Sequence, residues 1–211
     1  MACAWLTEGQ EHAPRMPRAL SGHVDPLAWH QIGELARTGV ASPLTTSMGR
    51  LFDAVAALCG IRAEVNYEGQ AAVELEASCD PGERRAYSFP LIDDGGGPLV
   101  MNARPLVAEI VRDVEDGVAI PLVAARFHNA VAETTASACV LAADRGGTEL
   151  VVLSGGVFQN RRLLERTSAL LTRAGLRVLV PERLPPNDGG IAYGQLAVAA
   201  ARLAAEELDA P

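Results

Sequence analysis

The chain has 211 residues, 49% of them hydrophobic and 21% charged, a composition that is globular rather than disordered and long enough to bury a full core. Aromatic residues make up only 4% and the formal net charge is −8; both features argue against stacking bases along a groove and against non-specific binding to nucleic acid or an anionic membrane. No apolar run reaches the roughly 18 residues of a spanning helix, and residues 1–6 lack the basic flank and the length of a signal peptide, so the expected location is the cytoplasm.

Residues 1–22 carry polar and proline-bearing sequence after one apolar turn and are expected as a loosely held leader. Asp25 and Pro26 then supply an N-cap with proline at the first helical position, and Gly39 stands where that helix stops. A stronger helix starts after Thr45, Thr46 and Ser47. Its apolar residues Met48, Leu51, Phe52, Val55, Leu58 and Cys59 fall on one face, leaving Arg50 and Asp53 on the other, and Gly60 ends it. A third helix is predicted from Gln70 through Cys79, closed by the turn signal Asp80, Pro81, Gly82. Residues 87–92 and 99–101 are predicted to pair as strands across a flexible polar tip at residues 93–97.

Pro105 is expected to open a helix with Val107, Ile110, Val111 and Val114 as its buried stripe, and Pro121 a longer one to about Ala143. Residues 23–144 therefore read as mainly helical. Residues 145–211 read as a βαβα unit: a strand at 149–153, a helix at about 160–174 capped by Gly175, a strand at 176–180, and an Ala-rich helix from about Gly190. Strand, helix, strand, helix is the signature of a parallel unit. The four cysteines, Cys3, Cys59, Cys79 and Cys139, form no C-x-x-C pair and are expected as reduced, buried thiols rather than a disulfide frame.

The chemistry-bearing stretch is 151–195. An apolar run breaks into Ser154, Gly155 and Gly156, and a second ends in Pro185, Pro186, Asn187, Asp188, Gly189 and Gly190. Two glycine-rich turns, each between a strand and a helix, can present backbone N–H groups to a phosphate; an ordinary strand-to-helix turn is the plain alternative. Asn160 suits either a helix N-cap or an amide bound to a nucleotide. Asp53 is either a solvated helical aspartate or a carboxylate accepting the hydrogen bonds of a ribose diol. Gly69 is either a helix-opening glycine or a close backbone approach to a nucleoside, and Asp188 either an N-cap or an oxygen ligand. His128 has the side chain of a general base, although a mid-helix histidine more often packs or bonds locally. Arg50 and Arg161 could neutralise phosphate and are equally ordinary surface arginines.

Four segments in order, 46–55 (TSMGRLFDAV), 67–76 (YEGQAAVELE), 153–160 (LSGGVFQN) and 186–190 (PNDGG), closely resemble motifs of the HypF carbamoyltransferase family, which matures [NiFe] hydrogenases. The resemblance covers essentially the whole chain and matches the family's C-terminal, TsaD-like transferase domain. It implies an α/β fold that is half of a two-lobed actin-like ATPase and sugar-kinase domain, with a partly parallel sheet flanked by helices. The acylphosphatase-like, zinc-finger and adenylate-forming domains of the family are expected to be absent here, with the first half of the transferase domain. The implied reaction passes a carbamoyl group from carbamoyl-adenylate to the C-terminal cysteine of a HypE-like acceptor; O-carbamoylation of a natural product, a sugar kinase and a non-catalytic module are the rival readings.

By the same resemblance Asp53, Gly69, Gly155, Gly156 and Asn160 bind the AMP moiety, while Glu68 departs from a proline of the TsaD group. Asp188 matches a metal ligand, for Fe, Zn or Mg, in the complete domain only, because the family relatives' H-x-x-x-H pair has no counterpart among His12, His23, His30 and His128. No catalytic residue is assigned. The expected partners are the HypE-like acceptor and the N-terminal part supplied as another chain, and the chain alone is expected to be inactive.

Overall fold

A computed structural model describes residues 1–7, 11–95 and 97–208. Its axis is helix α6 (Ile120–Gly146), opened by Pro121 in the first turn and closed at Gly147, where proline costs no hydrogen bond. From Val123 to Ala132 every residue is buried, so this stretch must be covered on all sides. Its alanines allow close approach by α5 (Ala103–Glu115), α4 (Gln70–Ala77), α7 (Arg161–Arg173) and strand β1 (Leu91–Ile92).

Helix α3 (Met48–Leu58) is capped as predicted, with the Ser47 hydroxyl accepting from the Arg50 N–H, and buries Leu51, Phe52, Val55 and Leu58. Phe52 meets Phe127 of α6 edge to face at 4.7 Å, an arrangement worth about 1 kcal/mol beyond the buried area. Helix α2 (Pro26–Thr38) is capped by Asp25, whose carboxylate accepts from the Ala28 N–H at 2.9 Å. All four cysteines are free thiols, and burial pushes the Cys59 thiol up to about 12.

The expected loose leader is corrected. Residues 2–7 form helix α1 (Ala2–Thr7), which packs against α2, α3 and α5 and buries Ala2, Cys3 and Thr7. Downstream, the Trp29 indole N–H donates to the Pro14 carbonyl at 2.8 Å. Ala13 lies so close to α2 that a Cβ on Gly33 would stand 2.9 Å from the Ala13 Cβ. The apolar turn at the start is core; residues 8–10 of the leader lie outside the described residues.

The predicted hairpin is shorter than its pattern. Only β1 and β2 (Val100–Met101) pair, antiparallel, Leu91 opposite Met101; of the polar tip, Gly96 lies outside the described residues. Tyr87 and Phe89 alternate inward without a ladder, because α6 side chains take the carbonyls that a strand would have used: Thr134 Oγ1 donates to Phe89 O at 2.7 Å and Asn129 Nδ2 to Arg85 O at 2.8 Å. Helix α5 begins at Ala103 under an Asn102 cap, two residues before Pro105, which sits in the first turn where its missing N–H is harmless.

The βαβα unit has strands β3 (Leu150–Val152) and β4 (Arg177–Leu179) in parallel register, Val151 opposite Val178, joined through α7. A small second core of Ala136, Leu153 and Leu171 lies under it. Val152 and Leu179 on the strands are exposed, as are Ile191, Tyr193, Leu196, Val198 and Leu203 on α8 (Ile191–Leu208). No helix among the described residues is long and apolar enough to cross a membrane.

Candidate functional site

The two glycine turns lie at the C-terminal ends of β3 and β4, where parallel sheets place their ligands. They are locked backbone to backbone: the Gly155 N–H donates to the Pro186 carbonyl at 2.6 Å, and Ser154 Oγ to the same oxygen at 3.4 Å. That bond changes the reading of Gly155, whose N–H is committed inside the protein. Its φ of 99° and ψ of 160° belong to a region that glycine alone occupies without strain. On the facing turn a Cβ on Gly190 would meet the Pro185 carbonyl oxygen at 2.9 Å. Gly155→Ala should destabilise the chain by about 1–3 kcal/mol, whereas Gly156→Ala, with φ in the ordinary range and the nearest atom 3.9 Å away, should change it by less than about 0.5 kcal/mol. Equal urea midpoints for the two variants would contradict this account.

The first turn runs through a short 3-10 helix, Gly156–Gln159, into Asn160, which caps α7: its Oδ1 accepts from the Leu163 N–H at 2.8 Å. The other end of the amide is also engaged, since Nδ2 donates to His128 Nε2 at 2.9 Å. Nε2 is therefore an acceptor and the imidazole proton sits on Nδ1, which donates to the Ala124 carbonyl at 2.8 Å and has Cys79 Sγ at 3.3 Å. His128 is fully buried and neutral, and burial above all holds it down at about 4, with the Arg162 charge acting the same way. It is inaccessible to a substrate proton, in line with a mid-helix histidine whose ring is used for hydrogen bonding inside the protein.

Asp53 is partly exposed on α3 and pairs with Arg50 at 3.6 Å; Arg161 pairs with Glu165 at 2.6 Å. Gly69 opens α4 in the left-handed region, φ 83°, with nothing near its missing Cβ, so its backbone conformation alone calls for glycine. Helix α3 packs against both α4 and the 156–159 turn, which brings the elements carrying Asp53, Gly69 and the first glycine turn together, while the Gly155–Pro186 bond ties on the second turn with Asp188.

For Asp188 the N-cap reading fails. Asn187 holds that position, accepting from the Gly189 N–H at 3.1 Å, and Asp188 is exposed. No group of three His, Cys, Asp or Glu able to hold a metal stands together among the described residues, so the donor set present does not fit a metal and no chemical step is derived through one.

Sequence reasoning missed a buried ionic network beside the site. Arg126 Nε meets Glu83 Oε2 at 2.9 Å and its Nη1 meets Asp113 Oδ2 at 2.6 Å; the Tyr87 hydroxyl donates to the same Asp113 oxygen at 2.7 Å. The available signal was the run Arg126, His128, Asn129 inside an otherwise apolar and alanine-rich stretch, where each polar side chain needs a partner. An open cleft of about 590 Å³ between α4 and α7, lined by Glu76, Cys79, Arg84, Arg161 and Arg162 among others, adjoins this region.

A family model described as the carbamoyltransferase Kae1-like domain, second subdomain, matches residues 1–195. The chain is similar to carbamoyltransferase HypF of Synechocystis, 43% identical over 74% of this chain and 19% of the relative. It is also similar to tRNA N6-adenosine threonylcarbamoyltransferase of Corynebacterium diphtheriae, 28% identical over 90% of this chain and 56% of that protein. Among solved structures, full-length HypF in its phosphate- and nucleotide-bound form superposes with a TM-score of 0.79 at 36% identity, over 86% of this chain and 24% of that one. The chain spans about a fifth of the length of the HypF proteins of Synechocystis and Rhodobacter capsulatus. By the family model over residues 1–195 and these likenesses in sequence and α/β fold, the chain belongs to the HypF carbamoyltransferase family, in the region of its Kae1-like second subdomain.

Proposed function

We propose that this chain carries part of the nucleotide pocket of a HypF-type carbamoyltransferase, within one half of an actin-like ATPase and sugar-kinase fold. The observation that carries the reading is the pair of glycine turns bonded to each other at the ends of parallel strands, with α3 and α4 packed alongside. The nucleotide-bound state of the solved HypF relative supports it. In this reading the AMP part of carbamoyl-adenylate lies along the first turn at Gly155, Gly156 and Asn160, with Asp53 toward the ribose and Gly69 beside the nucleoside.

In the complete protein the thiolate of a HypE-like acceptor attacks the carbamoyl carbon; the carbon–oxygen bond to the phosphate breaks and AMP leaves. The residues of this chain contribute by positioning the leaving group. Asp188 is the metal ligand this region would add to a set completed elsewhere in the full-length protein, and the exposed apolar side chains of β3, β4 and α8 are where further protein would pack. The chain alone should therefore show no transfer to an acceptor cysteine.

Calorimetric titration of the purified chain with AMP tests the pocket. Binding that is weakened about tenfold or more by Asp53→Ala supports the reading, since a charge-assisted hydrogen bond is worth roughly 1.5–3 kcal/mol. Absence of binding to the folded chain, or equal affinity in the variant, overturns it.

A further inference from the structure

We propose that His128 is a positioning residue for the nucleotide site: its Nε2 holds the Asn160 amide in the one orientation that caps α7 and ends the glycine turn. The functional part of this inference rests on the nucleotide reading above; the positioning part rests on geometry alone.

Asn160 closes the 156–159 turn and opens α7, so its side chain is the joint between loop and helix. Its Oδ1 takes the Leu163 N–H at 2.8 Å and its Nδ2 gives to His128 Nε2 at 2.9 Å. Rotating the amide by half a turn would face two donors at Leu163 and two acceptors at His128, so both bonds would be lost together. The lock needs an unprotonated Nε2. The Ala124 carbonyl provides this by accepting the Nδ1 proton at 2.8 Å, which selects the tautomer.

The imidazole itself cannot turn. Phe52 and Phe127 stand edge to face with it at 5.3 Å and 5.6 Å, and it is fully buried. Phe52 precedes Asp53 in α3, so a single ring touches the helix that bears Asp53 and the residue that ends the glycine turn.

Packing gives no reason for a histidine here. The neighbours Phe127, Ala130 and Val131 are apolar and equally buried, and a leucine would suit the same surroundings without the desolvation of two ring nitrogens. The polar side chain is accounted for by what it bonds: a carbonyl on its own helix and the amide of Asn160.

The test uses the whole chain and two variants, His128→Leu and His128→Gln, the second retaining an acceptor that can reach Asn160. In 15N-labelled wild type a scalar coupling across the hydrogen bond between Asn160 Nδ2 and His128 Nε2 should be detectable. Amide exchange at Leu163 should accelerate at least tenfold in His128→Leu relative to α5 amides and return to within about threefold of wild type in His128→Gln. AMP affinity should follow the same order, falling at least tenfold in the leucine variant. No coupling in the wild type, unchanged Leu163 exchange in His128→Leu, or a glutamine variant as impaired as the leucine one overturns the positioning claim. If His128→Leu does not fold, the wild-type coupling and the glutamine variant decide it. Lack of AMP binding by the wild type sinks the nucleotide reading alone, because the coupling and exchange results still stand or fall without ligand.

Discussion

Arg126→Ala should lower the unfolding free energy by about 3–5 kcal/mol, the range found when one partner of a buried ion pair is removed. The guanidinium reaches two carboxylates, Glu83 and Asp113, and the Arg126 and Glu83 side chains are only 10% and 7% exposed. Without it, Glu83 keeps only the solvent-facing Arg85 as a cationic partner, Asp113 loses the Arg126 charge, and the Tyr87 hydroxyl is left bonded to that carboxylate. The Glu83 carboxyl is held down at about 2, first by Arg85 through side chain and backbone and then by Arg126. Arg85 is the natural control. Its side chain is 69% exposed, and Arg85→Ala should cost less than about 1 kcal/mol in this solvated setting. Urea unfolding of the two variants at neutral pH checks the contrast; an Arg126→Ala midpoint like that of Arg85→Ala would refute it. Removing both charges, as in Arg126→Met with Glu83→Gln, should recover part of the loss, because the penalty lies in the unpaired charge rather than in the missing bridge.

This network also explains the segment that the strand pattern misjudged. Residues 83–89 run beside α6, held by Arg126, Asn129 and Thr134 of that helix instead of by a neighbouring strand. The same segment follows the turn after α4 and precedes β1, so loosening it in Arg126→Ala should spread toward Cys79 and the His128 ring that it contacts.

Local signals were legible where local chemistry decides. Asp25 with Pro26 and the Ser47 cap mark true helix starts, the apolar stripe of α3 is the buried stripe, and the strand–helix–strand order of 149–180 gives the parallel pair. The four motifs were legible as family membership because they occur together and in order. What could not be read depends on partners distant in sequence. Asn160 finds His128 32 residues away and Arg126 finds Glu83 43 away; neither spacing has a pattern. The first helix was illegible for another reason: a single apolar turn says nothing of itself until α2, α3 and α5 surround it. At the site, the use made of each group was not legible: Gly155 spends its N–H on Pro186, and Asn187 rather than Asp188 caps the second turn.

Acidification from pH 7 to pH 5 should remove on the order of 2 kcal/mol of stability through His128 alone. The sign follows from protonation of the two states. Unfolded, the imidazole titrates near its ordinary value of about 6.5; folded, it is held down at about 4. Between those values the unfolded chain binds the extra proton, so stability falls as pH drops below about 6.5 and the loss is complete only below about 4. Of the groups that face the ring, the Arg162 charge opposes protonation and the Cys79 thiol, pushed up to about 12, stays neutral; the Ala124 carbonyl acts the other way but is outweighed by burial. Glu83 acts in a separate window, since a carboxyl held at about 2 loses its contribution only as pH falls below the ordinary carboxylate range. Urea midpoints across pH 7 to 5 should therefore decline for the wild type and stay nearly level for His128→Gln, whatever the absolute stability of that variant. A wild-type profile as flat as the variant's would mean that the ring is reached by water, and with it that the bond to Asn160 is open in solution.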